Sequence, residues 1–197
     1  MKVGTQIFDA IVHKIHNEGY KFVAISVLVT FILLLISKFL GFIGLLITIW
    51  VYYFFRDPDR VSIDDQDYLV SPADGLITQI VETNGPKEFS LENKKFTRIS
   101  IFMSVFNCHV NRSPVTASIE DMFYVPGKFL NATLDKASED NERNLIKFKT
   151  NKGDEIIVVQ IAGLIARRIV CECSKSQMLQ QVIPSDNKLQ VQINRDL

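Results

Sequence analysis

His109 is the residue in this chain that is best suited to acid–base chemistry near neutral pH. It is one of three histidines and the only one in the second half of the chain, and imidazole is the side chain whose ordinary pKa lies closest to 7. Residues 106–114 read FNCHVNRSP, which alternates apolar and polar positions. The alternation predicts a strand with His109, Asn107 and Asn111 on one face, ending at Pro114. A purely structural strand with a polar outer face fits the same pattern.

Three further stretches carry polar groups that a core would not contain. Asp74 lies in SPADG, residues 71–75, a predicted tight turn before a strand; an Asx turn explains this aspartate equally well. Lys128 follows Pro-Gly and offers a cation on a turn. Residues 136–144 (KASEDNERN) place Arg143 in a very polar loop. Such loops either carry function or are simply solvated.

The cysteines indicate a reducing compartment. There are three, Cys108, Cys171 and Cys173, an odd number without the spacing of a disulfide framework. Cys171 and Cys173 could present two thiolates on one strand face, but no second pair of ligands accompanies them. We therefore predict no metal site.

An apolar block near the N-terminus predicts membrane attachment. Residues 22–36 and 39–55 carry no charge, and only Ser37 and Lys38 separate them. One spanning helix needs about 20 residues, so a single straight helix would be too long. We favour two short helices that turn at Ser37-Lys38, with Gly41 and Gly44 allowing close contact. One tilted span with an interfacial segment, or two core helices of a soluble protein, are the alternatives.

The flanks of this block favour the hairpin. An aromatic cluster at residues 50–55 resembles an interfacial belt, and no cleavage site of a signal peptide follows the apolar run. Basic residues lie on both sides, so the positive-inside rule places both ends in the cytoplasm. These residues are Lys2, Lys14, Lys21, Arg56 and Arg60. Residues 1–21 form an amphipathic start, in which His13 and His16 are interpreted as surface residues.

The chain after residue 55 has the composition of a mainly β domain. The predicted strands are 76–82, 96–106, 115–125, 145–150, 155–161 and 165–173, and residues 131–144 are predicted as a loop or short helix. The turn at residues 151–154 predicts a hairpin. The fold class is therefore a mainly antiparallel β sheet or sandwich on an N-terminal transmembrane helical hairpin. The formal net charge is zero, which gives no indication of nucleic-acid binding.

Five motifs in order identify a resemblance to a known family. RDPDR, SPADG, FNCHVNRSP, PGKFLNATLDKASEDNERN and VVQIAGLIARRIVC follow the apolar block. This series closely resembles the short bacterial (type II-like) phosphatidylserine decarboxylases, over residues 18–173. The resemblance divides the chain into an amphipathic segment (1–21), a membrane anchor (22–55), a β-chain-like domain (56–173) and a divergent tail (174–197).

The resemblance implies a pyruvoyl enzyme of phospholipid biosynthesis. The family makes a proenzyme that cuts itself between a Gly and a Ser, and the new N-terminal serine becomes the pyruvoyl group, an electron sink for the loss of CO2. By position, Asp74 and His109 match the Asp and His that assist both reactions, and we expect them to lie close together. Arg112, Lys128 and Arg143 are candidates for binding the substrate's phosphate or carboxylate.

The same resemblance implies partners and a location. The substrate is phosphatidylserine in the membrane, and the family's β-chain works with an α-chain that carries the pyruvoyl group. The expected location is the bacterial inner membrane, with the soluble domain on the cytoplasmic side. Self-association is left open.

The chain departs from the family at the pyruvoyl serine. None of its nine glycines is followed by serine, and residues 174–197 do not match the family's Phe-Gly-Ser-Arg element. The sequence therefore provides no pyruvoyl serine, and we expect this chain alone to be inactive. The alternative is a remnant or a lipid-binding membrane protein, produced by truncation, a frameshift or divergence.

Overall fold

The computed structural model describes residues 14–58, 67–131, 137–181 and 190–192. The chain divides into two compact units. A helical unit comprises Met1–Arg60 and Met103–Asn111, and a β unit comprises Val61–Phe102 and Arg112–Leu197. Most of the predicted amphipathic start, including His13, and most of the predicted tail lie outside the described residues.

The helical unit is a hairpin of two apolar helices, α1 (Gly19–Ile36) and α2 (Lys38–Phe54). Ser37 interrupts the helix with an extended backbone (φ −159°, ψ 138°). Its hydroxyl then caps α2 by accepting a hydrogen bond from the amide of Phe39 at 3.3 Å, as serine commonly does at a helix start. The predicted turn at Ser37-Lys38 is confirmed.

Small residues bring the two helices together. A Cβ added to Gly41 would lie 2.9 Å from the backbone Cα of Leu34, and one added to Gly44 would lie 3.1 Å from the Cα of Thr30. Thr30 and Thr48 share a hydrogen bond of 2.9 Å between their hydroxyl oxygens. The helices therefore contact through glycine and threonine, the residues that let apolar helices approach closely.

The outward surfaces of the hairpin are apolar. The buried residues are Gly19 in α1 and Gly41 and Gly44 in α2, while most of the large apolar side chains are exposed. By length and composition α1 is able to cross a membrane, and α2 is a shorter apolar helix of 17 residues. A helix that is apolar all round is typical of a protein interior or a bilayer.

The β unit is built from antiparallel strands in three sheets. The strands are β1 Tyr68–Val70, β2 Leu76–Asn84, β3 Lys95–Phe102, β4 Ala117–Val125, β5 Arg143–Lys149, β6 Glu155–Ile161, β7 Met178–Leu179 and β8 Gln190–Gln192, with a 3-10 turn at Lys87–Phe89 and a short helix, α3, at Ala137–Asp140. In the first sheet β1 pairs with β8, in the second β2 pairs with β3, and the third has the order β6-β5-β4-β7. This confirms the predicted mainly antiparallel β class.

The core of this unit lies on the four-stranded sheet. Its buried cluster is formed by side chains of β4 and β5 and by one residue that precedes β4: Val115, Ala117, Ile119, Ile146 and Phe148. The alternation of apolar and polar residues in β5 sends Ile146 and Phe148 to one face. The predicted β5–β6 hairpin is present, and Gly153 adopts the positive φ of 89° that its turn requires.

Residues 106–114 are not a strand, contrary to the alternation of their sequence. β3 ends at Phe102, and a turn follows in which the amide of Asn107 donates to the carbonyl of Ser104 at 3.0 Å. The side chain of Asn107 then accepts from the amide of Cys108 at 2.8 Å, a local bond that competes with a strand ladder. Cys108 is buried as predicted, but Phe106 is 74% exposed.

The predicted strand at 165–173 is also absent. The amide of Gly163 bonds to the carbonyl of Ala166 at 2.9 Å, which makes a turn, and the edge of β4 that could receive another strand is occupied by β7. Cys171 and Cys173 still pack against the core.

Part of the predicted divergent tail belongs to the β unit. Besides the pairing of β7 with β4, the amide nitrogen of the Gln181 side chain donates to the carbonyls of Tyr68 at 2.7 Å and Pro114 at 3.2 Å. Gln181 is 1% exposed. The domain therefore extends at least eight residues past Cys173 in its packing.

Candidate active site

His109 lies in the helical unit, against the end of α2. Its ring stacks on Phe54 with 4.3 Å between centroids, and its amide donates to the carbonyl of Phe54 at 3.4 Å. Burial lowers the pKa of His109, and the bond to Asn107 only partly opposes this effect. The imidazole is therefore neutral at pH 7 and able to accept a proton.

The surroundings of His109 also determine which ring nitrogen is available. Nδ1 lies 3.2 Å from the carbonyl oxygen of Asn107. A carbonyl oxygen only accepts hydrogen bonds, so Nδ1 carries the proton and donates. In the neutral ring this leaves the lone pair on Nε2, which becomes the proton-accepting atom.

Arg56 organises the turn that carries His109. Its guanidinium donates to Oδ1 of Asn107 at 2.6 Å and lies over the ring of Tyr53 at 3.9 Å. The thiol of Cys108 donates to the carbonyl of Arg56 at 3.1 Å. The sequence places Arg56 among the charges that flank the apolar block and in the RDPDR motif directly after it, but it did not predict that this side chain would support His109.

Asp74 lies in the β unit and is 2% exposed. It follows a serine turn in which Oγ of Ser71 donates to the carbonyl of Ala73 at 2.7 Å. Burial of a carboxylate is costly unless polar groups compensate its charge. A buried aspartate is therefore unusual, and its burial makes Asp74 a candidate site residue. Asp74 and His109 belong to different compact units, and their predicted proximity stays a prediction.

Arg112 joins the Asp74 turn through its backbone. Its amide donates to the carbonyl of Pro72 at 2.8 Å, and the amide of Val70 donates to the carbonyl of Pro114 at 3.0 Å. Residues 70–72, which lead into the Asp74 turn, therefore run beside residues 112–114. The side chain of Arg112 is half-buried.

The other candidate anion-binding residues are Lys128 and Arg143. They differ in burial and in the number of protein groups that they contact. Lys128 is exposed and forms an ion pair of 3.2 Å with Asp140. Arg143 is mostly buried, with an ion pair of 2.9 Å to Glu88 and a bond of 2.5 Å to the carbonyl of Glu139. Burial is the largest influence and acts to raise the pKa of Glu88, but the hydrogen bond and charge of Arg143, the Glu88 backbone amide and the charge of Lys87 together outweigh it, so the pKa is lowered. Arg143 would have to leave Glu88 to bind a substrate anion.

The two neighbouring cysteines are poorly suited to hold a metal. Both are free thiols, and burial, with the thiol of Cys171 beside it, raises the pKa of Cys173. A raised pKa favours the protonated thiol over the thiolate that metals bind. Among the described residues, no group of three His, Cys, Asp or Glu side chains is placed to hold a metal ion.

Comparison with known proteins defines the class of this chain. A sequence model of the family described as "Phosphatidylserine decarboxylase" matches residues 47–182. The match includes Asp74 and His109 and continues past Cys173 through β7 and Gln181. The class is thus that of the phosphatidylserine decarboxylases.

Individual relatives agree with this class. Proteins named "Phosphatidylserine decarboxylase proenzyme" are 63% identical in Pelagibacter ubique, 52% in Ruegeria pomeroyi and 49% in Cereibacter sphaeroides. The alignments cover 89%, 87% and 88% of this chain and 81%, 78% and 75% of the respective relative. The chain belongs to the phosphatidylserine decarboxylase family.

Proposed function

We propose that this chain provides the membrane-attached, proton-transferring part of a decarboxylase that converts phosphatidylserine to phosphatidylethanolamine. Family membership supports the substrate and the reaction. The observation that carries the proposal is the bond from Nδ1 of His109 to the Asn107 carbonyl, because it leaves Nε2 of a neutral imidazole to exchange a proton.

Two proton transfers require such a group. In the family's self-cleavage a serine hydroxyl must lose its proton before it attacks, and a neutral imidazole is the usual base. After CO2 leaves, the carbon that carried it must be protonated, and an imidazolium is a suitable acid. His109 is suited to both steps: Nε2 takes the serine proton in the first, and in the second it gives the substrate carbon a proton that it has gained from water.

Asp74 is proposed to act with His109. A buried carboxylate near an imidazole stabilises the protonated ring. Support comes from the sequence: both residues lie in motifs that resemble those of the family, SPADG and FNCHVNRSP, and both fall within the residues that the family model matches. Arg112 and Lys128 are proposed to contact the substrate's phosphate or carboxylate, with Arg143 as a third candidate.

The pyruvoyl group of the family supplies the electron sink for the departing CO2. The residues present do not fit its formation by the family's route, because none of the nine glycines precedes a serine. We propose that these 197 residues neither cut themselves nor release CO2 alone, and that an α-chain segment supplies the group. A lipid-binding remnant is the second candidate, favoured by the same missing Gly-Ser.

We also propose that the hairpin of α1 and α2 lies in the bacterial inner membrane, with the β unit on the cytoplasmic side. The exposed apolar surfaces of both helices and the basic residues on either side of them support this. The location suits a lipid substrate, because the substrate can then remain in the bilayer during the reaction.

The test has two stages. The purified chain should show a single intact mass and release no CO2 from phosphatidylserine vesicles. A chimera that keeps residues 1–181 and continues with the C-terminal part of the Pelagibacter ubique relative should split into two fragments and release CO2. The junction follows Gln181, so the chimera keeps this buried side chain and its hydrogen bonds to Tyr68 and Pro114.

Control variants distinguish the proposed decarboxylase from the alternative, a lipid-binding remnant. His109→Gln in the chimera should reduce CO2 release at least about 100-fold, the typical contribution of a general acid–base group, whereas Lys175→Gln on the exposed tail should not. Cleavage of the unmodified chain would contradict the proposal. A chimera that folds and cuts itself but releases no CO2 would favour the lipid-binding remnant.

A further inference from the structure

The loop that carries His109 is fastened to the end of α2. The indole nitrogen of Trp50 donates to the carbonyl of Val105 at 3.0 Å, and the ring and amide of His109 both contact Phe54. All these residues belong to the helical unit. The last turns of α2 therefore act as the support of the loop as well as part of the hairpin.

Arg56 is the polar centre of this support. It is 7% exposed, and a buried guanidinium is costly unless hydrogen-bond acceptors and aromatic faces compensate its charge. The Tyr53 ring and Oδ1 of Asn107 provide such compensation. The side chain of Arg56 is thus held in place from two directions.

Asn107 connects Arg56 to the imidazole of His109 by hydrogen bonds. Its Oδ1 accepts from both Arg56 and the amide of Cys108, so two donors fix the orientation of its side chain. Its main-chain carbonyl accepts from Nδ1 of His109. The residue therefore joins the guanidinium to the imidazole through one side-chain bond and one main-chain bond.

We propose that Arg56 is a positioning residue for His109. Through Asn107 it holds the carbonyl that keeps the proton on Nδ1, and it thereby leaves Nε2 as the proton-exchanging atom. The catalytic meaning of this arrangement rests on the proposed function, whereas the choice of tautomer does not. Among the described residues, the charged and titratable groups in contact with the loop include Arg56 and the thiol of Cys108.

The tautomer is directly measurable in the full chain. With three histidines, 15N-histidine labelling in lipid nanodiscs gives few ring signals, and His109→Gln identifies those of residue 109. In the unmodified chain we expect a protonated-type Nδ1 signal, an unprotonated-type Nε2 signal and a titration midpoint below the ordinary 6.5.

The decisive variant is Arg56→Met, which keeps an unbranched apolar side chain at this position and removes the guanidinium N–H donors. We expect His109 to become a mixture of tautomers, because the Asn107 carbonyl is no longer held against Nδ1. Arg98→Met is the matched control, because Arg98 also donates to a side-chain amide oxygen, that of Gln79 at 3.0 Å. It should leave both signals of His109 unchanged.

Asn107 variants give an independent answer if Arg56→Met does not fold. Asn107→Ala removes the shared acceptor and should reproduce the mixed tautomers, whereas Asn107→Asp keeps an acceptor oxygen and should retain the Nδ1 proton. A single Nδ1-protonated form in folded Arg56→Met or in Asn107→Ala would overturn the proposal. No measurement of CO2 is involved, so failure here is distinct from failure of the proposed function.

Discussion

At the residue scale, some charged side chains have partners of opposite charge on two sides. Glu155 shows this clearly. One of its oxygens lies 2.5 Å from Nζ of Lys94 and the other 2.9 Å from Nζ of Lys147. The hydrogen bonds from Lys94 and Lys147 lower the pKa of Glu155 to about 2. The carboxylate therefore bridges β6 to β5 and to the residue before β3.

This bridge predicts a specific dependence of stability on pH. The folded state holds Glu155 ionised, whereas the unfolded chain protonates it near 4.5. The stabilisation is thus complete above pH 4.5 and is lost as the pH falls towards 2. Glu155→Gln should cost about 1–2 kcal/mol at pH 7 and should flatten the loss of stability between pH 4.5 and 2.

Chemical unfolding of the full chain in detergent at several pH values measures this effect. The exposed Glu92→Gln is the control and should preserve the shape of the pH curve. If the Glu155 variant loses stability with acid as steeply as the unmodified chain, the bridge is not the source of the acid sensitivity in this range.

At the scale of elements, the sequence correctly predicted the helices and strands whose hydrophobic pattern is bounded by a recognisable turn. The apolar block and Ser37 defined the hairpin, and the turn around Gly153 defined β5 and β6. The proposed site was predictable only in part. His109 and Asp74 were identified by residue type and by resemblance, but the support of His109 by Phe54 and Arg56 depends on contacts between distant residues.

The prediction of a strand at residues 106–114 was wrong for a physical reason. Alternation predicts a strand only when the backbone has a neighbouring strand with which to pair. Here the side chain of Asn107 accepts a hydrogen bond from the amide of Cys108, and the amide of His109 donates to the carbonyl of Phe54. These bonds satisfy the backbone outside a sheet, and a single sequence gives no sign of them.

The contact between α1 and α2 carries its own prediction. Gly41→Leu would place side-chain atoms against the backbone of Leu34, and overpacking of this kind typically costs about 1–3 kcal/mol. We expect a lower unfolding temperature in detergent. Phe42→Leu, which introduces the same residue at an exposed neighbouring position, should have little effect. Equal behaviour of the two variants would show that the helices do not depend on close packing at Gly41.

At the scale of the whole molecule, the proposed membrane topology is testable in cells. Two crossings place the turn at Lys38 outside the cytoplasm and the residues after Arg60 inside it. Alkaline phosphatase fused at Lys38 should be active, and the same enzyme fused after Arg60 should be inactive. Green fluorescent protein fusions at the same two sites should give the opposite result. Phosphatase activity from the second fusion would exclude a two-crossing hairpin.

The stacking of His109 on Phe54, the last residue of α2, has a consequence for kinetics. If the hairpin lies in lipid as proposed, the imidazole is attached to the point where the chain leaves the bilayer. Substrate then reaches it by lateral diffusion in two dimensions. For the active chimera, turnover should depend on the surface mole fraction of phosphatidylserine. Dilution of the vesicles at constant composition should leave the rate per enzyme unchanged, whereas dilution of the substrate with phosphatidylcholine should lower it.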